Sequence, residues 1–244
     1  MACFSIAQPR IGAIIQSPPA SVPAATKPAR PATVVPVPRD EEWWQQRHAA
    51  TLERIKKGHV DLLFIGDSIT QSWEGEGKDV WAKHYAARDA VNIGFSGDRT
   101  QHVLWRLTNG EIDGVAPKLA VVMIGTNNSH DNSAEEIAAG IDAIVKTLRT
   151  KLPDTKILLL AIFPRGETAK DNPQRDKNAK ASELASHLAD GKMIHFLDIG
   201  PKFLQADGTM SKEIMPDFLH PSRRGYEIWA DAIEPKVKEL LSKP

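Results

Sequence analysis

The sequence predicts an α/β fold: a five-stranded parallel sheet with helices on both faces, which makes three layers. Five short runs of apolar and β-branched residues each have the length of a buried strand. Stretches with the apolar periodicity of amphipathic helices separate these runs. Strands that alternate with helices are typical of parallel sheets, because each crossover helix packs back onto the sheet. The predicted strands are residues 60–65, 90–93, 119–124, 156–162 and 193–197.

The first predicted helix lies between Asp40 and Gly58. Asp40 is a good N-cap residue, and Glu41 and Glu42 follow it where the positive end of the helix dipole favours carboxylates. Gly58 suits the position just after the last turn, since glycine adopts the left-handed conformation found there without strain. We therefore expect one helix between these two residues.

Five further helices follow in the predicted order. The one over residues 133–152 has the clearest signals, because Ser133 and Glu136 have the spacing of a capping box. Ile137, Ile141 and Ile144 then form an apolar stripe that would face the core. The other predicted helices are residues 79–85, 100–107, 178–189 and 222–241.

The N-terminal residues differ in composition from the rest of the chain. Eight of the 17 prolines lie in the first 38 residues, with no helical or strand periodicity. Proline fixes φ and removes a backbone donor, so residues 1–39 are predicted to be a Pro-rich flexible leader and residues 40–244 one folded domain. Cytosolic enzymes seldom carry such a leader, which favours export to the periplasm or outside. Residues 1–16 lack the basic start of a signal peptide, so a cytoplasmic location remains the alternative.

Charge and cysteine content exclude several classes of protein. The chain has 31 basic and 31 acidic residues, so it has no overall basic footprint for nucleic acid. No apolar run approaches the roughly 20 residues that span a bilayer. Cys3 is the only cysteine, which excludes an internal disulfide and a thiolate metal cluster.

Side chains suited to acyl transfer follow the predicted strands. In a parallel sheet, ligands bind beyond the carboxyl ends of the strands. Ser68 follows the first strand and opens a helix, which exposes its hydroxyl and brings the positive end of the helix dipole close. Asp217 and His220 are three residues apart, so the carboxylate can reach the imidazole Nδ1–H while Nε2 faces Ser68. We predict Ser68 as nucleophile, His220 as base and Asp217 as its orienting acid.

Three donors could stabilise an oxyanion at the same edge of the sheet. They are the Ser68 N–H, the Gly97 N–H and the Asn127 side-chain amide. Gly97 lacks a Cβ, so its backbone can approach a ligand closely. The nearest alternative acid–base pair is His130–Asp131, whose context is more typical of a polar loop.

Common cofactor and nucleophile motifs are absent from the sequence. It contains no G-x-S-x-G, which disfavours the α/β-hydrolase fold. It also contains no Walker A, G-x-G-x-x-G or H-E-x-x-H motif, so we expect neither a cofactor nor a metal.

Four blocks of residues together resemble the SGNH (GDSL) hydrolase superfamily: Gly66-Asp67-Ser68, Gly97, Gly125-Thr126-Asn127 and Asp217-x-x-His220. Within that superfamily, residues 97–107, 164–167 and 217–220 are similar to the catalytic subunits of intracellular platelet-activating-factor acetylhydrolase and to their bacterial relatives. The resemblance implies a three-layer, flavodoxin-like SGNH-hydrolase fold. It also implies the same triad and oxyanion donors that the strand ends indicate, and a homodimer.

The resemblance also implies an acetylesterase, an enzyme that prefers short acyl groups. Ile69, Thr126 and Leu219 adjoin the predicted catalytic residues and would wall the acyl pocket. Core packing is the competing interpretation for Ile69 and Leu219.

The alcohol part of the substrate stays open. An acetylated carbohydrate suits an exported enzyme, and Trp73, Trp81 and Trp105 could stack on sugar rings, although tryptophans on helices more often belong to the core. The alternatives are a lipid of the platelet-activating-factor type, an acyltransferase reaction, and a silent sugar-binding module with the same fold.

Overall fold

A computed structural model describes residues 1–4 and 30–242 of the chain. Its centre is one five-stranded sheet in which every neighbouring pair is parallel, with strand order β2-β1-β3-β4-β5. This is the flavodoxin-like order that the resemblance implies, so the predicted fold class is confirmed. The strands are β1 Leu62–Gly66, β2 Ala90–Gly94, β3 Leu119–Met123, β4 Lys156–Leu160 and β5 Ile194–Leu197.

Seven α-helices flank the sheet in the described part of the chain, and short 3-10 turns connect some of them. Most of the bounds lie within one or two residues of the predicted ones. No helix among these residues is long and apolar enough to cross a bilayer. The helices are α1 Glu42–Lys56, α2 Ser68–Gln71, α3 Lys78–His84, α4 Thr100–Thr108, α5 Ala134–Lys151, α6 Pro173–Ser186 and α7 Arg223–Ser242.

The sheet separates two apolar cores. Leu63 and Ile65 of β1 pack with residues of α1, α4, α5 and α6. Leu62 and Phe64, which alternate with them, pack on the other face with residues of α3 and α7. Because successive side chains of a strand point to opposite faces, this pattern makes the sheet the middle of three layers.

Two helix starts differ from the prediction. The N-cap of α1 is Glu41 and not Asp40; the Glu41 side chain makes no capping hydrogen bond and instead pairs with Arg39. α6 begins at Pro173, five residues before the predicted start, with Asn172 as N-cap. The first turns of α6 are polar, so apolar periodicity missed them.

The last residues of the predicted leader lie against the folded domain. The Thr33 side chain is completely buried, and its hydroxyl donates to the Glu136 carbonyl at 2.6 Å. The Thr100 hydroxyl donates to the Thr33 carbonyl, and the Val37 N–H donates to the Gln101 carbonyl. Residues 31–39 therefore belong to the folded surface, whereas the predictions for residues 5–29 lie outside the described residues.

Candidate active site

Ser68, His220 and Asp217 lie in one hydrogen-bonded chain at the carboxyl edge of the sheet. The Ser68 Oγ is 2.9 Å from Nε2 of His220, and Nδ1 of His220 is 2.6 Å from Oδ2 of Asp217. With Nδ1–H directed at the carboxylate, Nε2 is the nitrogen that can accept a proton from the serine. The structure thus brings together the three residues that the sequence predicts as nucleophile, base and acid.

A tight turn holds Asp217 and His220 in register. Phe218 adopts a left-handed conformation with φ of 57°. The Oδ1 of Asp217 accepts the backbone N–H groups of Leu219 and His220, which leaves Oδ2 for the imidazole. Burial acts to raise the pKa of Asp217, but the bonds from the side chain and backbone of His220 lower it below the usual value. Asp217 is therefore a carboxylate over a wide range of pH.

Ser68 sits at a sharp turn from β1 into α2. Asp67 is the N-cap of α2, and its Oδ1 accepts the Ile69 N–H at 3.0 Å. The Tyr226 hydroxyl of α7 donates to the Ile69 carbonyl at 2.6 Å, which ties the turn to the core. Since α2 has only four residues, its dipole is weaker than that of a longer helix.

Asp67, next to the nucleophile, is fully buried. Its Oδ2 has no hydrogen-bond partner among the described residues. Burial raises the pKa of Asp67 to about 7, and the bond from Ile69 opposes this shift. Burial disfavours the charged form, so the neutral carboxyl of Asp67 is favoured although the charge of Arg165 opposes this.

The backbone N–H groups of Ser68 and Gly97 are among those at the site that have no protein acceptor within residues 30–242. Ser68 is half-buried and Gly97 is exposed, so both N–H groups are accessible to a ligand atom and are candidates for holding one. The Asn127 side chain lies close to the Gly97 loop, since its Nδ2 donates to the Asp98 carbonyl at 2.9 Å. One amide hydrogen of Asn127 remains for a ligand.

The three residues predicted to wall the acyl pocket differ in exposure. Ile69 and Thr126 are completely buried, while Leu219 is partly exposed beside His220. The Thr126 hydroxyl accepts from the side chains of Arg165 and Asn178. Leu219 is therefore the one of the three that an incoming substrate can reach without a rearrangement.

A cluster of buried charged residues lies next to the site and holds Asp98 in place. The Asp98 carboxylate accepts from Trp44 Nε1 and from Arg106 Nε, both at 2.8 Å. Arg106 also pairs with Glu111, and Nδ1 of His48 lies 2.8 Å from Glu111. Burial disfavours the cation, but Glu111 and Asp98 raise the pKa of Arg106. Asp98 follows Gly97 directly, so this cluster fixes one end of the loop that carries the Gly97 N–H.

Two alternative interpretations of the sequence lose their support. Trp73 is buried in the core against Tyr226 and Trp229, so it offers no surface to a sugar ring. His130 contacts Gln174, and Asp131 pairs with Arg99. His130 and Asp131 therefore do not form an acid–base pair with each other.

Trp81 and Trp105 also pack against other aromatic residues. Trp81 contacts the rings of Phe64 and Tyr85, and Trp105 contacts those of Trp44 and His48. Both remain partly exposed. Among the described residues, no ring contact or hydrogen bond joins either tryptophan to Ser68, His220 or Asp217.

A cavity of about 360 Å³ lies apart from these residues, between α6 and the end of β5. None of the predicted site residues lines it. The described residues also contain no group of three or more His, Cys, Asp or Glu side chains that could hold a metal ion.

Sequence reasoning missed three charged residues around the site: Arg39, Asp67 in its buried state, and Arg165. Arg165 is half-buried and donates to both the carbonyl and the hydroxyl of Thr126. Burial lowers the pKa of the Arg165 guanidinium, while the charges of Asp67 and Asp217 oppose this shift. Asp67 directly follows β1, and Arg165 lies in the loop after β4, so their positions beyond strand ends are a signal that could have found them. No such signal points to Arg39, which precedes α1.

Comparison with known proteins shows the family of the chain. The model of the GDSL-like lipase/acylhydrolase family matches residues 64–228. The chain is 40% identical over 205 residues to platelet-activating factor acetylhydrolase IB subunit alpha2 of Rattus norvegicus, covering 84% of this chain and 87% of that protein.

Solved structures share the fold at lower identity. Est24, a carbohydrate acetylesterase from Sinorhizobium meliloti, has a TM-score of 0.58 and 21% identity, covering 74% of this chain and 99% of that chain. A mutant of Axe2, an acetyl-xylooligosaccharide esterase of Geobacillus, has a TM-score of 0.59 and 20% identity, covering 75% and 94%. The family match and the close relatives confirm the resemblance seen in the sequence: the chain belongs to the GDSL-like lipase/acylhydrolase family and is a carboxylic ester hydrolase.

Proposed function

We propose that the protein hydrolyses esters of short acyl groups, chiefly acetyl esters, with Ser68 as nucleophile, His220 as base and Asp217 as orienting acid. The carrying observation is the continuous chain from Ser68 Oγ through the imidazole of His220 to Asp217, with links of 2.9 and 2.6 Å. A serine hydroxyl is a weak nucleophile, and an adjacent base within hydrogen-bonding distance is what activates it.

The reaction needs two half-reactions with the same groups. Nε2 of His220 takes the Ser68 proton as Oγ attacks the ester carbonyl, and the imidazolium then gives this proton to the leaving alcohol. Water next gives a proton to Nε2 and attacks the acyl-serine; as the bond from the acyl carbon to Oγ breaks, the imidazolium returns that proton to Oγ, which releases the carboxylic acid and restores Ser68. Asp217 stabilises the imidazolium in both steps, consistent with its lowered pKa.

Three donors stabilise the negative charge that develops on the carbonyl oxygen: the Ser68 N–H, the Gly97 N–H and the Asn127 amide. The two backbone groups support this role because no acceptor among the described residues uses them. Preorganised donors of this kind contribute several kcal/mol to lowering the barrier of acyl transfer, about 3 kcal/mol for one donor.

The preference for acetyl groups is supported by the side chains that adjoin the triad. Leu219 is partly exposed beside His220, while Ile69 and Thr126 are completely buried. The 40% identical relatives carry the name acetylhydrolase. In this proposal Leu219 closes the far end of the acyl pocket and so limits the length of the acyl group.

For the alcohol, two candidates rest on different observations. The identity to platelet-activating factor acetylhydrolase subunits supports an acetylated lipid of that type. The structural neighbours named as carbohydrate acetylesterases support an acetylated sugar, the leading candidate on the sequence, although they share only the fold. Burial of Trp73 removes one argument for the sugar.

The test is acetate release by the purified full-length chain over one panel: acetylated xylan, acetylated monosaccharides, p-nitrophenyl esters of increasing acyl length and a choline ether lipid with an acetyl group. We expect turnover to fall steeply beyond the acetyl and propionyl esters. Exclusive turnover of the lipid would reject the carbohydrate alternative, and exclusive turnover of sugar esters would reject the lipid.

Ser68→Ala is the control for the triad. We expect it to lower turnover by orders of magnitude and to abolish labelling by a fluorophosphonate probe, with an unchanged far-ultraviolet circular dichroism spectrum. Retention of most of the activity by this variant would reject Ser68 as nucleophile.

A further inference from the structure

The loop of residues 95–99, called here the oxyanion loop, presents one unpaired N–H at the proposed active site. Four of its backbone N–H groups are held by protein acceptors, whereas the Gly97 N–H has none within residues 30–242. Hydrogen bonds therefore hold the backbone of the loop and leave the Gly97 N–H as its one free donor among the described residues. The held groups are Phe95 N–H to the Gly66 carbonyl at 3.1 Å, Ser96 N–H to Gln71 Oε1 at 2.6 Å, Asp98 N–H to the Phe95 carbonyl at 3.1 Å, and Arg99 N–H to His102 Nδ1 at 3.0 Å.

Arg39 contacts the peptide group that contains this donor. Its Nη1 donates to the Ser96 carbonyl at 2.7 Å. The Ser96 carbonyl and the Gly97 N–H belong to the same planar peptide unit, so fixing the direction of the one fixes the direction of the other. Arg39 thus sets where the Gly97 N–H points, although it lies far away in sequence.

The Arg39 side chain is itself held in place. Its guanidinium pairs with Glu41 through Nη2 at 2.5 Å and Nε at 3.3 Å, and its Cζ lies 5.3 Å from the centre of the Trp43 ring. The Arg39 carbonyl accepts from Gln45 Nε2. The side chain is only 18% exposed. A long side chain held this way loses little further entropy in gripping the loop.

The contact is also electrically favourable to an oxyanion. A hydrogen bond from a cation to the carbonyl draws electrons through the peptide group, which strengthens its N–H as a donor. Nη1 also lies 3.6 Å from Oδ1 of the buried Asp98. A Cβ at Gly97 would meet Nη1 at 2.8 Å, so the arginine lies directly on the loop where a larger residue would displace it.

We propose that Arg39 is a positioning residue for the reaction: it holds and polarises the Ser96–Gly97 peptide so that the Gly97 N–H meets the developing oxyanion. The inference rests on the proposed function, since it needs an oxyanion at that place. Arg39 lies in the segment before α1 that the sequence predicts to be part of a flexible leader, so this segment would contribute to catalysis. Arg39 acts through the loop and does not touch the substrate.

The test compares Arg39→Gln and Arg39→Lys with the wild type in the full chain. For p-nitrophenyl acetate we expect Arg39→Gln to lower kcat about tenfold to a hundredfold with KM within about twofold, because the donor matters more in the transition state than in the bound ester. Arg39→Lys, which keeps a cationic donor, should recover part of the loss. Millimolar guanidinium should raise the kcat of Arg39→Ala, an effect that a purely structural role would not produce.

Arg54→Gln is the matched control. Arg54 also donates to backbone carbonyls, those of Gly58 and His59, but at the far end of α1. We expect this variant to keep the kcat of the wild type. Equal kcat in Arg39→Gln and Arg54→Gln, or a loss confined to KM, would overturn the inference.

Labelling of Ser68 by a fluorophosphonate separates this inference from the proposed function, because it needs no acetyl substrate. Slower labelling of Ser68 in Arg39→Gln supports the inference even if the panel of esters finds no acetyl preference. A wild type that labels elsewhere than Ser68 rejects the proposed triad and, with it, the role of Arg39. An equal rate of Ser68 labelling in both proteins rejects the role of Arg39 alone.

Discussion

Asp217 binds His220 twice: its Oδ2 lies 2.6 Å from the imidazole Nδ1, and its Oδ1 accepts the His220 backbone N–H at 2.7 Å. One carboxylate therefore fixes both the backbone and the ring of the proposed base. The two contacts use different oxygens, so a substitution can separate them.

Asp217→Asn should separate the two contacts. The amide oxygen can still accept the backbone N–H groups and keep the turn, but the amide nitrogen would face Nδ1 and favour the wrong imidazole tautomer. We expect kcat/KM for p-nitrophenyl acetate to fall by about a hundredfold or more, with little change in melting temperature.

Asp207→Asn is the control for that change. Asp207 likewise accepts a backbone N–H two residues on, from Thr209, in an exposed turn that contains no predicted site residue. It should keep full activity. Near-wild-type kcat/KM in Asp217→Asn would show that His220 needs no orienting carboxylate.

Acyl-length preference should depend on Leu219 more than on Ile69. Leu219→Ala removes a partly exposed side chain beside His220, so the ratio of butyrate to acetate turnover should rise about tenfold. Ile69→Ala instead empties a completely buried site and should lower the free energy of unfolding by about 2 to 5 kcal/mol.

Hydrolysis of p-nitrophenyl acetate, propionate and butyrate, together with urea unfolding, measures both effects. An unchanged acyl profile in Leu219→Ala would reject the leucine as the wall of the pocket. A broadened profile in Ile69→Ala without loss of stability would move that role to Ile69.

The sheet and the triad could be predicted from the sequence because both depend on local signals. Buried parallel strands are continuous apolar runs, and all five observed strands overlap the predicted ones. Once the strands are known to be parallel, their carboxyl ends must lie together, which places Ser68 on the same edge as the His220 loop.

The contacts of the segment before α1 could not be predicted in this way. Thr33 bonds to Glu136, 103 residues away, and Arg39 bonds to Ser96, 57 residues away. A proline-rich composition predicts an extended backbone, and an extended backbone can either lie on a surface or extend into solvent. Nothing in the local sequence distinguishes these outcomes, since the partner surfaces exist only after the sheet has formed.

Buried Asp67 should make stability depend on pH. Its folded-state pKa is about 7 against an ordinary value of 3.8, so the folded chain holds this proton more tightly than the unfolded chain. The unfolded state therefore binds fewer protons between about pH 4 and pH 7, and this group lowers the free energy of unfolding as pH rises through that window.

Asp67→Asn removes this dependence while its amide oxygen can still accept the Ile69 N–H. We expect the stability of the variant relative to the wild type to increase between pH 4 and pH 8, by on the order of 2 to 4 kcal/mol. Urea unfolding at several pH values measures it. Asp61→Asn, at an exposed ion pair with Lys118, should stay within about 0.5 kcal/mol of the wild type. Parallel stability curves for Asp67→Asn and the wild type would mean that Asp67 is ionised when buried.

Two adjacent asparagines offer a last test, because they are chemically identical and differ in position. Asn127 is partly exposed at the site, whereas Asn128 is completely buried and bonds to Thr100, Gln101 and Asn132. Asn127→Ala should therefore lower kcat by about a hundredfold, as the loss of one oxyanion donor does elsewhere, with a small change in melting temperature.

Asn128→Ala should do the reverse. It leaves the buried Thr100 N–H without its acceptor, and an unpaired buried donor costs about 1 to 3 kcal/mol. The variant should unfold at lower temperature, yet its folded fraction, counted by fluorophosphonate labelling of Ser68, should turn over at the wild-type rate. If instead Asn127→Ala kept its kcat and only lost stability, the bond from Asn127 to the Asp98 carbonyl would be its whole role, and the oxyanion would be left with the two backbone donors.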